Sequence, residues 1–69
     1  MYVECAAVVD DEREAKTLYN RACEIGGLAY VTKTTNSVLA KYDGSECVAK
    51  ALVNLFELYE CHSIRVERG

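Results

Sequence analysis

The sequence predicts an α+β fold, a four-stranded antiparallel sheet with two helices packed on one face. Three observations predict it. Stretches 10–25 and 45–60 carry apolar residues at helical spacing. Four shorter stretches, 2–9, 28–34, 37–42 and 62–68, alternate in polarity or are rich in β-branched and aromatic residues. Their order along the chain is β-α-β-β-α-β.

In the first strand, Val3, Cys5, Ala7 and Val9 form one apolar face, and Tyr2, Glu4, Ala6 and Val8 form a mixed one. Asp10 and Asp11 open the first helix. Asp11 with Glu14 fits a capping box, and acidic residues suit a helix N-terminus. Ala15, Leu18, Ala22 and Ile25 make its apolar stripe, with Tyr19 beside them, and Gly26-Gly27 ends it. Strands 28–34 and 37–42 flank Thr35-Asn36. A two-residue loop sets Tyr30 opposite Lys41 and Thr32 opposite Leu39; a three-residue loop reverses that parity. Asp43-Gly44 turns the chain into the second helix, with Ser45 as N-cap. Val48, Leu52, Leu55 and Tyr59 form its stripe, widened by Ala51, Phe56 and Leu58. The last strand turns Ile64 and Val66 inward.

This order resembles the ferredoxin-like split βαβ fold, as one domain over residues 1–69 with strand order 4-1-3-2. The fold hosts many functions, so function must come from sites. RNA-recognition domains share the topology but carry a Lys/Arg-Gly-aromatic-x-aromatic run on strand three, where this chain has SVLAKY. Acylphosphatases carry a phosphate-cradling loop with an arginine after strand one, where this chain has Asp10-Asp11-Glu12. Heavy-metal-associated domains need Cys-x-x-Cys in that loop, which is absent here. ACT-type regulatory domains have no sharp signature to compare.

A chain of 69 residues builds one small core. The start, MYVECAAVVDDE, has no basic segment and a short apolar run, so neither a secretory signal nor a membrane span is expected, and the expected location is cytoplasmic. Disulfides are not expected there. Cys5, Cys23, Cys47 and Cys61 form no Cys-x-x-Cys pair. Cys5 and Cys47 read as buried small hydrophobes and Cys23 as partly exposed. The net charge is −3 and the eight basic residues are scattered singly, so direct nucleic-acid binding is not expected. No phosphate loop, serine elbow or apolar carboxylate pair is visible. No catalytic residue, metal site or cofactor is expected, and the chain is read as not an enzyme.

Two surfaces stand out. The topology brings the start of helix one, the end of helix two and the start of strand four to one pole. Asp10, Asp11, Glu12, Glu14, Glu57 and Glu60 would gather there, with Arg13 and His62 as counter-charges. A solvated helix cap explains the first four. It does not explain Glu57 and Glu60, since a helix C-terminus disfavours anions. The second surface is the open sheet face, with Tyr2, Glu4, Ala6, Val8, Tyr30, Leu39, Lys41 and Arg65. There Glu4 is expected between Lys41 and Arg65, beside an apolar patch of Ala6, Val8 and Leu39.

These features point to a non-enzymatic protein-binding module. It would dock its acidic pole or open face on a larger, basic, nucleic-acid-handling protein. In size, charge and architecture the chain resembles the compact inhibitors that phages encode against host nucleoprotein machines, such as anti-CRISPR proteins. Two alternatives belong to other classes. One is an ACT-like ligand-sensing domain that forms a homodimer through its sheet. The other is a metal or redox protein using Cys61 and His62.

Overall fold

The computed structural model describes residues 2–68. Its elements are β1 (Val3–Val8), α1 (Glu12–Cys23), β2 (Leu28–Lys33), β3 (Ser37–Tyr42), α2 (Glu46–Leu58) and β4 (Ser63–Arg68). The sheet is antiparallel in the order β2-β3-β1-β4, the ferredoxin-like α+β fold. Met1 and Gly69, part of the expected 1–69 domain, lie outside the described residues.

The alternation of β1 decides which side of the sheet becomes the core. Val3, Cys5, Ala7 and Val9 are all buried, while Glu4, Ala6 and Val8 face the open side. From the helix layer, Leu18, Leu52 and Phe56 meet this face, and Val38, Ala40 and Tyr42 of β3 complete it. Ala7, Ala15, Ala22 and Ala40 are wholly buried, and their small side chains let helix and sheet approach closely. α1 lies over β2 and β3, and α2 packs on α1 and β1.

The backbone ladder has a definite phase. Val9 N donates to Asn36 O at 2.8 Å, in step with the register that sets Cys5 opposite Ala40. Hydrogen-bonded pairs alternate along an antiparallel ladder. The odd residues of β1 therefore bond to β3, and Glu4, Ala6 and Val8 bond to β4. His62 N donating to Val8 O at 2.8 Å agrees with that phase. Val8, Ala6 and Glu4 face Ser63, Arg65 and Glu67. It follows that Ile64 and Val66 turn their backbone groups to the outer edge.

The β2–β3 hairpin has the two-residue loop. Thr34 N donates to Ser37 O at 2.9 Å, and Tyr30 faces Lys41 and Thr32 faces Leu39. The sequence does not reveal the register shift between Leu28 and Tyr30. This bulge at Ala29 puts Leu28 and Val31, three residues apart, on the core side while Tyr30 faces outward.

Several side chains depart from expectation. Leu58 is 77% exposed; at 100° per residue it falls outside the buried sector centred on Leu52 and Phe56. Cys47 is exposed for the same reason. Val66 is on the helix side of the sheet, opposite buried Cys5, yet it is 50% exposed because it sits on the edge strand. Ser45 is the N-cap of α2 by position, but its side chain makes no cap bond. Asp43 Oδ1 instead accepts from Ser45 N at 3.0 Å, which closes the turn. α1 ends at Cys23, before Ile25, because Glu24 N and Ile25 N bond back to Arg21 O and Ala22 O in a tighter turn.

Among the described residues, three lie at positive φ: Gly27, Gly44 and Glu60. Gly27, at φ +89, turns the chain from α1 to β2, and a Cβ there would meet Val48 Cγ2 at 2.9 Å. Glu60, at φ 53, follows the α2 cap. Cys61 N donates to Phe56 O and Glu60 N to Glu57 O, the pair of bonds that defines a Schellman end. Glycine normally fills that position. Glu60→Gly should therefore stabilise the protein by about 0.5–1 kcal/mol, a Tm rise of roughly 2–8 °C for a domain this small. Gly27→Ala should destabilise it by about 1–2 kcal/mol. Thermal unfolding checks both, and a lower Tm for Glu60→Gly would contradict the helix ending described here.

Candidate functional site

The acidic pole forms, and its parts play different roles. Asp11 Oδ1 accepts from Glu14 N at 2.8 Å, and Glu14 Oε2 accepts from Asp10 N at 3.2 Å. This is a capping box shifted by one residue, so Asp10, Asp11 and Glu14 all help to start α1. Asp10 also contacts His62, 52 positions later. That ion pair ties the start of α1 to the start of β4, and both side chains are mostly exposed. The hydrogen bond to Asp10, then its charge and that of Glu14, hold the His62 pKa above its ordinary value. Glu12, Glu57 and Glu60 are exposed at the same end. The sequence reading missed one component there. Val9 N bonding to Asn36 O brings the β2–β3 turn beside Asp10. In that turn Thr34 Oγ1 and Ser37 Oγ lie 2.6 Å apart, so the acidic rim continues into a hydroxyl-bearing tip.

The open sheet face is better defined than the pole. Glu4 faces Lys41, as expected. On its other side Glu4 faces Glu67, not Arg65. Arg65 is opposite Ala6 and bonds Glu67 Oε1 of its own strand at 2.5 Å. The expected Lys41–Glu4–Arg65 row is thus corrected, because β4 is displaced by two residues from the assumed register. Leu39 and Ala6 pair across β3 and β1, and Val8 faces Ser37. Glu4, Ala6, Leu39, Arg65 and Glu67 line a shallow hollow of about 110 Å³. Small-molecule sites usually enclose about 300–1,000 Å³.

At the start of β1, two tyrosines flank one lysine. Lys41 Nζ is 5.7 Å from the Tyr2 ring centroid and 5.6 Å from that of Tyr30. Both distances are within cation–π range, worth about 0.5–1 kcal/mol at exposed sites. Tyr2 is 53% and Tyr30 47% exposed, so each ring is held on one side and open on the other. The register set by the two-residue turn is what brings Tyr30 to Lys41. This end and the acidic pole lie at opposite ends of β1, roughly 20 Å apart for a six-residue strand.

The cysteines are free and dispersed. Burial pushes the Cys5 thiol up to about 11, away from the thiolate needed for reaction. Burial first and Glu14 second also raise Cys61. Among the described residues, no group of three or more His, Cys, Asp or Glu side chains is placed to hold a metal ion. No helix among them is long and apolar enough to cross a membrane. Comparison with known proteins finds no matching family model, no matching curated protein and no matching solved structure.

The raised His62 pKa fixes the sign of a pH effect. In the unfolded chain His62 titrates at about 6.5. The pair's contribution to stability is fully present below that value and is lost as pH rises through the higher folded value. A proton NMR titration should give a His62 midpoint above about 6.5. Asp10→Asn should return it toward the ordinary value. An unchanged midpoint in that variant would show that Asp10 does not set it.

Proposed function

We propose that this protein is a small, non-enzymatic binding module. It docks on a larger protein through the open face of its sheet, with the acidic pole steering the approach. The observation that carries this reading is the uncovered face itself, with Tyr2 and Tyr30 half-exposed and braced on Lys41. Tyrosines are enriched where partners bind, since a ring offers large contact area for little lost conformational freedom. Bracing by Lys41 reduces that loss further.

The dimensions suit a protein partner. A standard interface covers about 800 Å² on each side, under a fifth of the 4502 Å² that this protein exposes. Such a footprint can be supplied by the open sheet face, while Glu12, Glu57 and Glu60 are exposed on the helix layer. Glu57 and Glu60 face solvent at the C-terminus of α2, where the helix dipole disfavours anions, so a role in attracting a basic surface gives them a purpose. A protein that handles nucleic acid has such a surface, and a small acidic domain is suited to occupying it. The shallow hollow favours a protein over a metabolite as the occupant.

The test is capture of a partner from the native lysate with wild type and two variants. Tyr2→Ala/Tyr30→Ala should reduce capture by at least about tenfold, the scale of interface hot spots. Glu57→Gln/Glu60→Gln should slow association, and its difference from wild type should vanish at high salt. A partner captured equally by all three proteins would contradict the proposal.

A further inference from the structure

The β4 edge is the second unpartnered feature of the sheet, and its sequence is self-complementary. We infer that two copies of this chain pair antiparallel along β4, with Val66 of one copy opposite Val66 of the other. Their sheets would then form one eight-stranded sheet.

The inference begins with the two edges. β2 carries the bulge at Ala29, which breaks the even spacing that a further strand needs. β4 runs six residues in a single register with β1. Because Ser63, Arg65 and Glu67 bond to β1, Ile64 and Val66 present backbone donors and acceptors to the outside. Val66 is 50% exposed although its side chain is on the core side of the sheet. An edge of this kind is a template for another strand.

Charge then selects the occupant and the register. In a two-fold antiparallel pairing centred on Val66, Arg65 of each copy faces Glu67 of the other. Shifting the pairing by two in one direction sets Arg65 against Arg65. Shifting it by two in the other direction sets Glu67 against Glu67. Odd shifts place core-side residues opposite open-face residues and are excluded by the pleat. Of these three registers only the Val66-centred one joins the exposed valines and sets Arg65 against Glu67; it places Arg68 opposite Ile64. Arg65 and Glu67 are 71% and 62% exposed, so both are accessible. Within the monomer Glu67 faces Glu4 and bonds the Arg65 of its own strand, and in the pairing the second copy's Arg65 faces Glu67 as well. This pairing uses the edge and leaves both open faces uncovered, so it does not rest on the reading of those faces given above.

The test measures solution mass against concentration, by sedimentation equilibrium, for wild type, Arg65→Glu, Glu67→Arg and an equimolar mixture of the two variants. Wild type should move from monomer to dimer as concentration rises. Each variant alone opposes like charges across the seam and should self-associate at least tenfold more weakly. The mixture opposes unlike charges again and should form a heterodimer about as tightly as wild type. Both positions are exposed and outside the core, and circular dichroism should be unchanged. A wild type that stays monomeric at every attainable concentration would overturn the inference. So would a dimer indifferent to these substitutions, or a mixture no tighter than its components.

Discussion

The packing of β1 between β3 and β4 is the constraint on which the rest of the structure depends. A central strand has one face for each parity of residue, and in this chain only one face is covered. Cys5 and Ala7 are fully buried under the helices, while Glu4 and Ala6, one residue away, face the open side. A slip of one residue would carry Glu4 into a core that, among the described residues, contains no buried polar or charged residue. The same parity fixes the hydrogen-bond phase. It therefore decides that the free backbone groups of β4 belong to Ile64 and Val66.

From this constraint follow three surfaces of different character. One end of the open face is aromatic, where Lys41 lies between Tyr2 and Tyr30. The opposite pole is acidic, where the α1 cap and the end of α2 converge and His62 contacts Asp10. The third is the β4 edge, uncovered because α2 packs on α1 and β1. At the acidic pole the side chains of Asp10 and His62 are both mostly exposed.

Most of the fold was legible in the sequence because strong local signals agreed with one another. The two-residue period in β1 and the capping box at Asp11 each had one consistent solution, whereas the loop at Thr35-Asn36 allowed two parities until the backbone bond from Thr34 N to Ser37 O selected the two-residue turn. What escaped was tertiary in origin. The Ala29 bulge has no sequence mark, since alanine neither demands nor forbids it. The register of β4 was misjudged by two residues because Arg65 and Glu67 are both charged and either could lie near Glu4. Leu58 and Cys47 look like core residues by composition, and only the angular position of the α1–α2 contact shows that they lie outside it. The pairing of His62 with Asp10 could be anticipated only as a shared pole, because it joins residues 52 positions apart.

The most direct measurement of the one-sided core is the reactivity of the five tyrosines toward a water-soluble ring-modifying reagent, read by mass spectrometry. Tyr42 is 2% exposed, whereas Tyr2 is 53% and Tyr30 47% exposed. In the native protein Tyr2 and Tyr30 should be modified first, and Tyr42 should stay protected until the chain unfolds. Modification of Tyr42 at the rate of Tyr30 would mean that the β3 face assigned to the core is open. The parity on which the whole account depends would then be wrong.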